Sequence, residues 1–194
     1  MRRVFKNSYA FVLAAAIAAP VAAETPYAAF EGSKLVAISD GDMLASAYVT
    51  FQLGPQEDRD TLSVLTFSPD LSELNLASVE VSNSVAGSPT AVAVTPDGRF
   101  AVVSESFGPR PEGGEGFRDL PIGSLLTLVD ISDESAPQVI ERLEVGTRPE
   151  GLSLSPDGSM VAIAMHPRDG RGIAFVPLEN GRFGGPSCAL APGV

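Results

Sequence analysis

Apolar residues in this chain come in short runs, and beyond residue 23 none of the runs carries a helical period. Thr61 to Phe67 (TLSVLTF), Leu76 to Val81 (LASVEV), Leu125 to Ile131 (LLTLVDI) and Gln138 to Val145 (QVIERLEV) are rich in Val, Leu and Ile and short enough to be strands. Gly172 to Leu178 (GIAFVPL) and Ser187 to Leu190 (SCAL) are weaker runs of the same kind. The 19 Gly and 16 Pro are scattered in turn-like positions between them, which predicts many short elements joined by tight turns.

The runs repeat. Pro89-Thr-Ala-Val-Ala-Val-Thr-Pro-Asp-Gly-Arg-Phe-Ala-Val-Val matches Pro149-Glu-Gly-Leu-Ser-Leu-Ser-Pro-Asp-Gly-Ser-Met-Val-Ala-Ile position for position at an offset of 60. Each unit reads as a β-hairpin, because Asp-Gly supplies the positive φ that a tight turn requires. A looser third copy, Leu35 to Val49, lacks the Pro but reads as strand, Asp40-Gly41, strand. The Asp-Gly pairs at Asp40, Asp97 and Asp157 are therefore expected to be structural turns on one face. A second two-strand unit follows each hairpin, and aligning Phe67 with Ile131 and Val81 with Val145 gives one shared offset of 64. Four short strands recurring every 57 to 60 residues predict an all-β fold, a β-propeller of four-stranded antiparallel blades. A sandwich or barrel would also supply many short strands, but neither predicts this long-period self-similarity.

The units Pro-x-x-[Val/Leu]-x-[Val/Leu]-[Ser/Thr]-Pro-Asp-Gly-x-x-x-[Val/Ala]-x-[Val/Ile] at 89–103 and 149–163 resemble the repeats of the YVTN and lactonase-like superfamily of β-propellers. The resemblance covers most of residues 30 to 190, specifically for two blades and loosely for 35–49. It implies the fold alone, since that superfamily includes lactone hydrolases, cofactor-bearing oxidoreductase domains and plain binding proteins.

Residues 1–23 place Arg2, Arg3 and Lys6 ahead of the apolar run YAFVLAAAIAA and a Pro-Val-Ala-Ala end. This is the pattern of a secretory signal peptide, either an ordinary one or, from Arg2-Arg3, a twin-arginine one. The expected location is periplasmic or extracellular, with no stable membrane insertion after cleavage, because no other segment approaches 18 apolar residues. The remainder carries 10 Lys and Arg against 24 Asp and Glu, a net charge of −14, which excludes nucleic acid as a partner. It leaves protein or small-molecule ligands. One Cys and one His exclude a disulfide framework, a four-ligand zinc site and covalent haem. Blades at about 30–86, 87–146 and 147–194 make three, whereas propellers close with about four to eight. An incomplete propeller is expected, either a fragment or a chain that self-associates to bury its open edges.

Candidate chemistry gathers on the face opposite the Asp-Gly turns. Its longest segment is Glu105 to Gly123 (ESFGPRPEGGEGFRDLPIG), of a length that is usually functional or mobile. Its Gly113-Gly114-Glu115-Gly116 run reads as flexible linker. Arg148, Glu150, His166, Arg168 and Arg110 are the ligand-binding candidates: the arginines suit carboxylate or lactone oxygens, or else local ion pairs. His166 and Glu105 are the candidate catalytic pair, as acid or base. No cofactor or metal is expected, calcium being the one cation for which Glu105 and Glu112 offer oxygens. No nucleophile elbow, dinucleotide fingerprint, phosphate loop or His-Glu-x-x-His is present. The expected function is a non-enzymatic binding module acting through this loop-bearing face, with a lactonase-like hydrolase at the channel mouth as the alternative. Cys188, in an outer strand, is expected to be a buried, inert thiol.

Overall fold

The structure is a computed structural model, and it describes residues 32–68, 70, 72–82, 91–166 and 172–189. The signal segment, Arg168 and the C-terminal Ala191 to Val194 lie outside those residues. The described chain is all-β, in three antiparallel sheets that follow one another in sequence. No described helix is long and apolar enough to cross a membrane.

Sheet 2 is a complete four-stranded meander: β4 (Val92–Val94), β5 (Phe100–Ser104), β6 (Leu125–Asp130) and β7 (Gln138–Glu144), hydrogen-bonded in that order. Sheet 3 follows the same course through β8 (Pro149–Leu154), β9 (Met160–Met165) and β10 (Ile173–Glu179). Its outer strand is interrupted: β11 (Arg182–Phe183) pairs with the end of β10 and β12 (Ser187–Ala189) with its start. The hairpin turns at Asp97 and Asp157 form as their sequences require, with Gly98 at φ 70° and Gly158 at φ 73°. Each Asp accepts a hydroxyl from two residues before it and a backbone N–H from two residues after it.

Sheet 1 differs from the sequence expectation. It comprises β1 (Lys34–Ser39), β2 (Thr61–Phe67) and β3 (Leu74–Glu80), and Asp40-Gly41 is not a hairpin turn. The chain runs from Asp40 to Asp60 through a short helix, α1 (Ala47–Thr50), before β2 begins. The pairing explains why. Lys34 lies opposite Thr66 in sheet 1 as Phe100 lies opposite Asp130 in sheet 2, and Ile38 opposite Leu62 as Ser104 opposite Leu126. β1 is therefore a second strand, equivalent to β5, and the 40–60 segment is equivalent to the long 105–124 connection. Gly41 is excluded from a free turn by packing as well, since a Cβ there would fall on the Arg59 carbonyl.

The cores lie between sheets rather than within them, because each pleated sheet buries alternate residues on opposite faces. Sheet 1 gives Leu62, Val64 and Val81 to the first interface, and sheet 2 gives Ala101, Val103, Val129 and Ile131. The opposite face of sheet 2 gives Val102, Leu126 and Leu128 to the second, against Val161, Ile163, Ala174 and Val176 of sheet 3. β5 is consequently buried along its whole length. Equivalent residues also join the sheets at their turn ends. Lys34 Nζ donates to the carbonyls of Gly98 and Ile131 and pairs with Glu134 at 3.1 Å, whereas Phe100 packs its ring over Gly181. One position bridges with charge and the other with an aromatic ring.

Candidate functional site

The loop end of sheets 1 and 2 is one assembly. The 105–124 connection doubles back on itself, with Gly108 N–H donating to the Pro121 carbonyl and Gly123 N–H to that of Ser106. The 40–60 segment then adds to it: Leu53 N–H donates to the Glu115 carbonyl, and Gln52 bridges Gly116. Beneath lies a separate small core of Met43, Ala47, Leu53, Phe107 and Leu120 with Phe117. The glycine run is thus an ordered turn, not a linker. Gly114 N–H donates to the Pro111 carbonyl, Gly113 takes φ 77°, and Asp119 Oδ2 accepts the N–H groups of Glu115 and Gly116.

Arg110 fastens the two loops. Its backbone N–H donates to Asp42 Oδ2 and its Nη1 to the Asp42 carbonyl, both at 2.9 Å. Nε and Nη2 donate to the Gly114 carbonyl at 2.9 and 2.5 Å. These bonds hold the guanidinium against loop backbone. Glu105 is similarly enclosed. Its Oε1 accepts the Ser124 N–H at 3.3 Å, and Gly123 lies so close that a Cβ would fall on the Glu105 carbonyl. Burial pushes the carboxyl of Glu105 up from its ordinary value, against the weaker pull of the Ser82 hydroxyl, the Ser124 N–H and Arg142.

Arg148, Glu150 and His166 do come together. Arg148 Nε is 3.6 Å from Glu150 Oε1, an ion pair too long for a hydrogen bond, and His166 Nε2 is 4.0 Å from the same oxygen. The His166 N–H donates to the Arg148 carbonyl. The Arg148 guanidinium lies 4.4 Å from the centre of the Phe107 ring, a cation–π contact that ties this cluster to the loop assembly. Arg148 takes φ 57°, a left-handed conformation that costs a non-glycine residue about 1 kcal/mol or more. Its N–H nonetheless reaches the Gly123 carbonyl, and Ser106 Oγ donates to that of Pro149. Glu105 accepts the N–H of Ser124, the neighbour of the Gly123 whose carbonyl accepts the Arg148 N–H.

Two groups at this end escaped the sequence reading because residues 40–60 read as a hairpin. Asp40, Asp42 and Asp60 each bring a carboxylate oxygen within 4.8 Å of the others. Three such oxygens are donors of the kind a hard divalent cation takes. Two of the carboxylates already accept backbone N–H groups, from Arg110 and Gly41. The second group is aromatic: Phe117 packs between Tyr48 and Phe51, with ring centres 6.1 and 6.2 Å away. Val49 is 81% exposed and Phe51 66%. Phe51 closes α1 at φ 59°, the left-handed cap position that glycine normally fills. The Tyr48 phenol is pushed up to about 12 by burial and by the Asp40 charge, so it remains protonated. Extending the offset of 64 upstream from Val81 and Val145 would have exposed this loop, since it places β1 opposite β5 rather than β4.

Two depressions lie at the turn end. One of about 680 Å³ is lined by Thr66, Asn75, Leu76 and Ser132 to Ser135, and one of about 460 Å³ surrounds Lys34, Asp97 and Glu134. Cys188 is exposed rather than buried, because the outer sheet edge at β12 is uncovered.

No family model matches the chain, and no curated protein matches it. Among solved structures it is similar to a protein from Lactobacillus plantarum, at 14% identity and a TM-score of 0.45, over 64% of this chain and 33% of that one. It is similar to a putative 6-phosphogluconolactonase from Bacteroides fragilis, at 14% identity and a TM-score of 0.43, over 64% of this chain and 31% of that one. A functionally unknown protein from Desulfotomaculum acetoxidans is similar at 12% identity and a TM-score of 0.29, over 78% of this chain and 65% of that one. The match thus spans about a third of the length of the first two proteins.

Proposed function

We propose that this chain is an exported β-propeller repeat protein that acts as a binding module through its loop-bearing face, with a protein as the ligand. The observation that carries the reading is Phe51. An exposed phenylalanine in a backbone conformation that suits glycine costs stability twice, once in strain and once in exposed apolar area. It sits on a platform with its own small core, beside Tyr48, Val49 and Phe117, and exposed aromatics on a rigid base are the usual anchors of protein interfaces. Arg148, Glu150 and His166, joined to the platform through Phe107, add charged groups at its margin.

The test is to compare capture of exported proteins by the wild-type chain, by Phe51→Gly and by Arg148→Ala with His166→Ala. Phe51→Gly relieves the backbone strain, so it is expected to raise thermal stability while weakening the captured complex at least tenfold. A captured partner bound equally well by all three would overturn the reading.

The hydrolase alternative rests on Glu105, whose raised pKa is the kind an acid catalyst needs. Screening on lactones and esters, with and without calcium, decides it. Turnover abolished by Glu105→Gln would favour it, and absence of turnover in both conditions would remove it.

A further inference from the structure

The two loop segments that build the platform are acidic as well as aromatic. Residues 40–60 and 105–124 hold nine Asp and Glu against three Arg and no Lys, a net charge of −6 with every carboxyl ionised. Two of the three arginines are already engaged: Arg110 donates to the carbonyls of Asp42 and Gly114, and Arg59 pairs with Glu80 of β3 at 2.9 Å. Glu57, Asp58, Glu112, Glu115 and Asp119 are exposed. The exposed apolar side chains Tyr48, Val49, Phe51 and Ile122 lie on the same two segments. Both features meet where the loops join. The Glu115 carbonyl accepts the N–H of Leu53, two positions from Phe51, and Phe117, two positions from Glu115, packs between Tyr48 and Phe51. The charge is felt at the rings, since the Asp40 carboxylate adds to burial in pushing up the Tyr48 phenol. An aromatic face is itself negative and attracts a cation. The chain uses this elsewhere, with Arg99 5.2 Å from the centre of the Phe100 ring and Arg148 4.4 Å from that of Phe107. Among the described residues no Lys or Arg lies in this way over Tyr48, Phe51 or Phe117.

We propose, resting on the binding-module reading above, that the partner's contacting segment is basic: an Arg- or Lys-bearing stretch that seats a cation on the Tyr48 and Phe51 rings and meets the carboxylates of Glu112 and Glu115. Charge decides among the occupants that an exposed apolar patch can take. A second copy of this chain brings the same −6 face, or another part of a chain whose residues beyond 23 sum to −14, so like charges meet. A neutral or acidic segment leaves the exposed carboxylates facing no opposite charge, and covering them then costs their desolvation. A basic segment supplies that charge, and the aliphatic stems of its Arg and Lys side chains suit Val49, which is 81% exposed beside Phe51. Complementarity of this kind speeds encounter and fades as salt rises.

The experiment pans a library of displayed random peptides on the purified full chain after depletion on Phe51→Gly, so that only peptides depending on Phe51 are kept. Those peptides are expected to carry Arg and Lys in clear excess over Asp and Glu. One of them, synthesised and labelled, is then titrated by fluorescence anisotropy against wild type, Phe51→Gly, and Glu112→Gln with Glu115→Gln. A control pair with the same change of charge at the turn end, Glu73→Gln with Glu179→Gln, completes the set; all four glutamates are exposed. Phe51→Gly is expected to weaken binding at least about tenfold. The Glu112 and Glu115 pair is expected to weaken it about fivefold at low salt and less as salt rises, with the control pair within about twofold of wild type. Phe51-dependent peptides that are neutral or acidic would overturn the proposal while leaving the binding module standing. A loss from Glu112 and Glu115 no greater than that from the control pair would do the same. If no enriched peptide depends on Phe51, the proposal and the binding-module reading fall together.

Discussion

The two ends of the sheet stack handle charge in opposite ways. At the turn end, Asp70, Asp97, Asp130, Asp133 and Asp157 each accept the N–H of the residue two positions on. Each also takes a Ser or Thr hydroxyl from its own turn. These donors hold all five carboxyls below their ordinary value, with Asp70 and Asp157 down to about 2. At the loop end Asp119 is also held by its own turn, but there Arg110 reaches Asp42 across 68 positions, and Glu105 is buried and pushed up. The difference separates two uses of an acidic composition. A carboxylate satisfied within its own turn is part of the fold and has little left to offer a ligand. One placed by long-range packing marks where the fold bears a cost, which is where function is to be sought.

The comparison is broken most severely at Gly123. Gly123→Ala drives a Cβ into the Glu105 backbone, and a loss of about 3 kcal/mol or more is expected in denaturant midpoints. Gly98→Ala at the turn end, left-handed but with open space around it, is expected to cost about 1 kcal/mol. Equal losses would erase the distinction between the two ends. Arg110→Ala removes the donors that bridge the loops and is expected to cost about 2 kcal/mol. The accompanying rise in hydrogen exchange should be confined to residues such as Leu44 and Leu53, with the turns at Thr95 and Ser155 unchanged.

Two smaller effects separate the ends by pH. Glu105 has a folded pKa above its unfolded one, so its favourable contribution is complete below the unfolded value and is lost as pH rises through the folded value. Glu105→Gln keeps an acceptor for Ser124, and its melting temperature relative to wild type should climb as pH rises from the ordinary glutamate value through the folded one, then level. Asp157 is the reverse case, stabilising above its unfolded pKa and losing that contribution as pH falls from about 4 through about 2. Asp157→Asn should therefore lower the melting temperature slightly at pH 7 and not at all near pH 2. A flat profile for either variant would remove that end from the comparison.

Much of the architecture was legible in local pattern. The runs at 61–67, 125–131 and 138–145 are β2, β6 and β7 to within a residue or so, because a short run rich in Val, Leu and Ile suits a strand with at least one buried face. The Asp97 and Asp157 turns were legible for the same reason, since turn chemistry is encoded within four or five residues. The error at Asp40 shows the limit. Asp-Gly after an apolar run is a turn signal only when a pairing strand follows, and Met43 to Val49 instead turns inward as Met43 and Ala47 to seed the loop core. Arg148, Glu150 and His166 meet because the start of β8 pairs with the end of β9, Pro149 opposite Met165, a pairing within one hairpin. The Asp42–Arg110 and Phe51–Phe117 contacts were hidden, because they join residues more than 60 apart whose meeting depends on how two loops pack.

The knitted loops also bear on the order of assembly. Each sheet is a meander of neighbouring strands, so it forms through short closures, whereas the bond from Arg110 to Asp42 spans 68 positions and needs both sheets in place. Linear repeats held only by their neighbours tend to fray one unit at a time. A late-forming latch across two of them makes the first pair melt together, turning a chain of repeats into a single cooperative unit at that end.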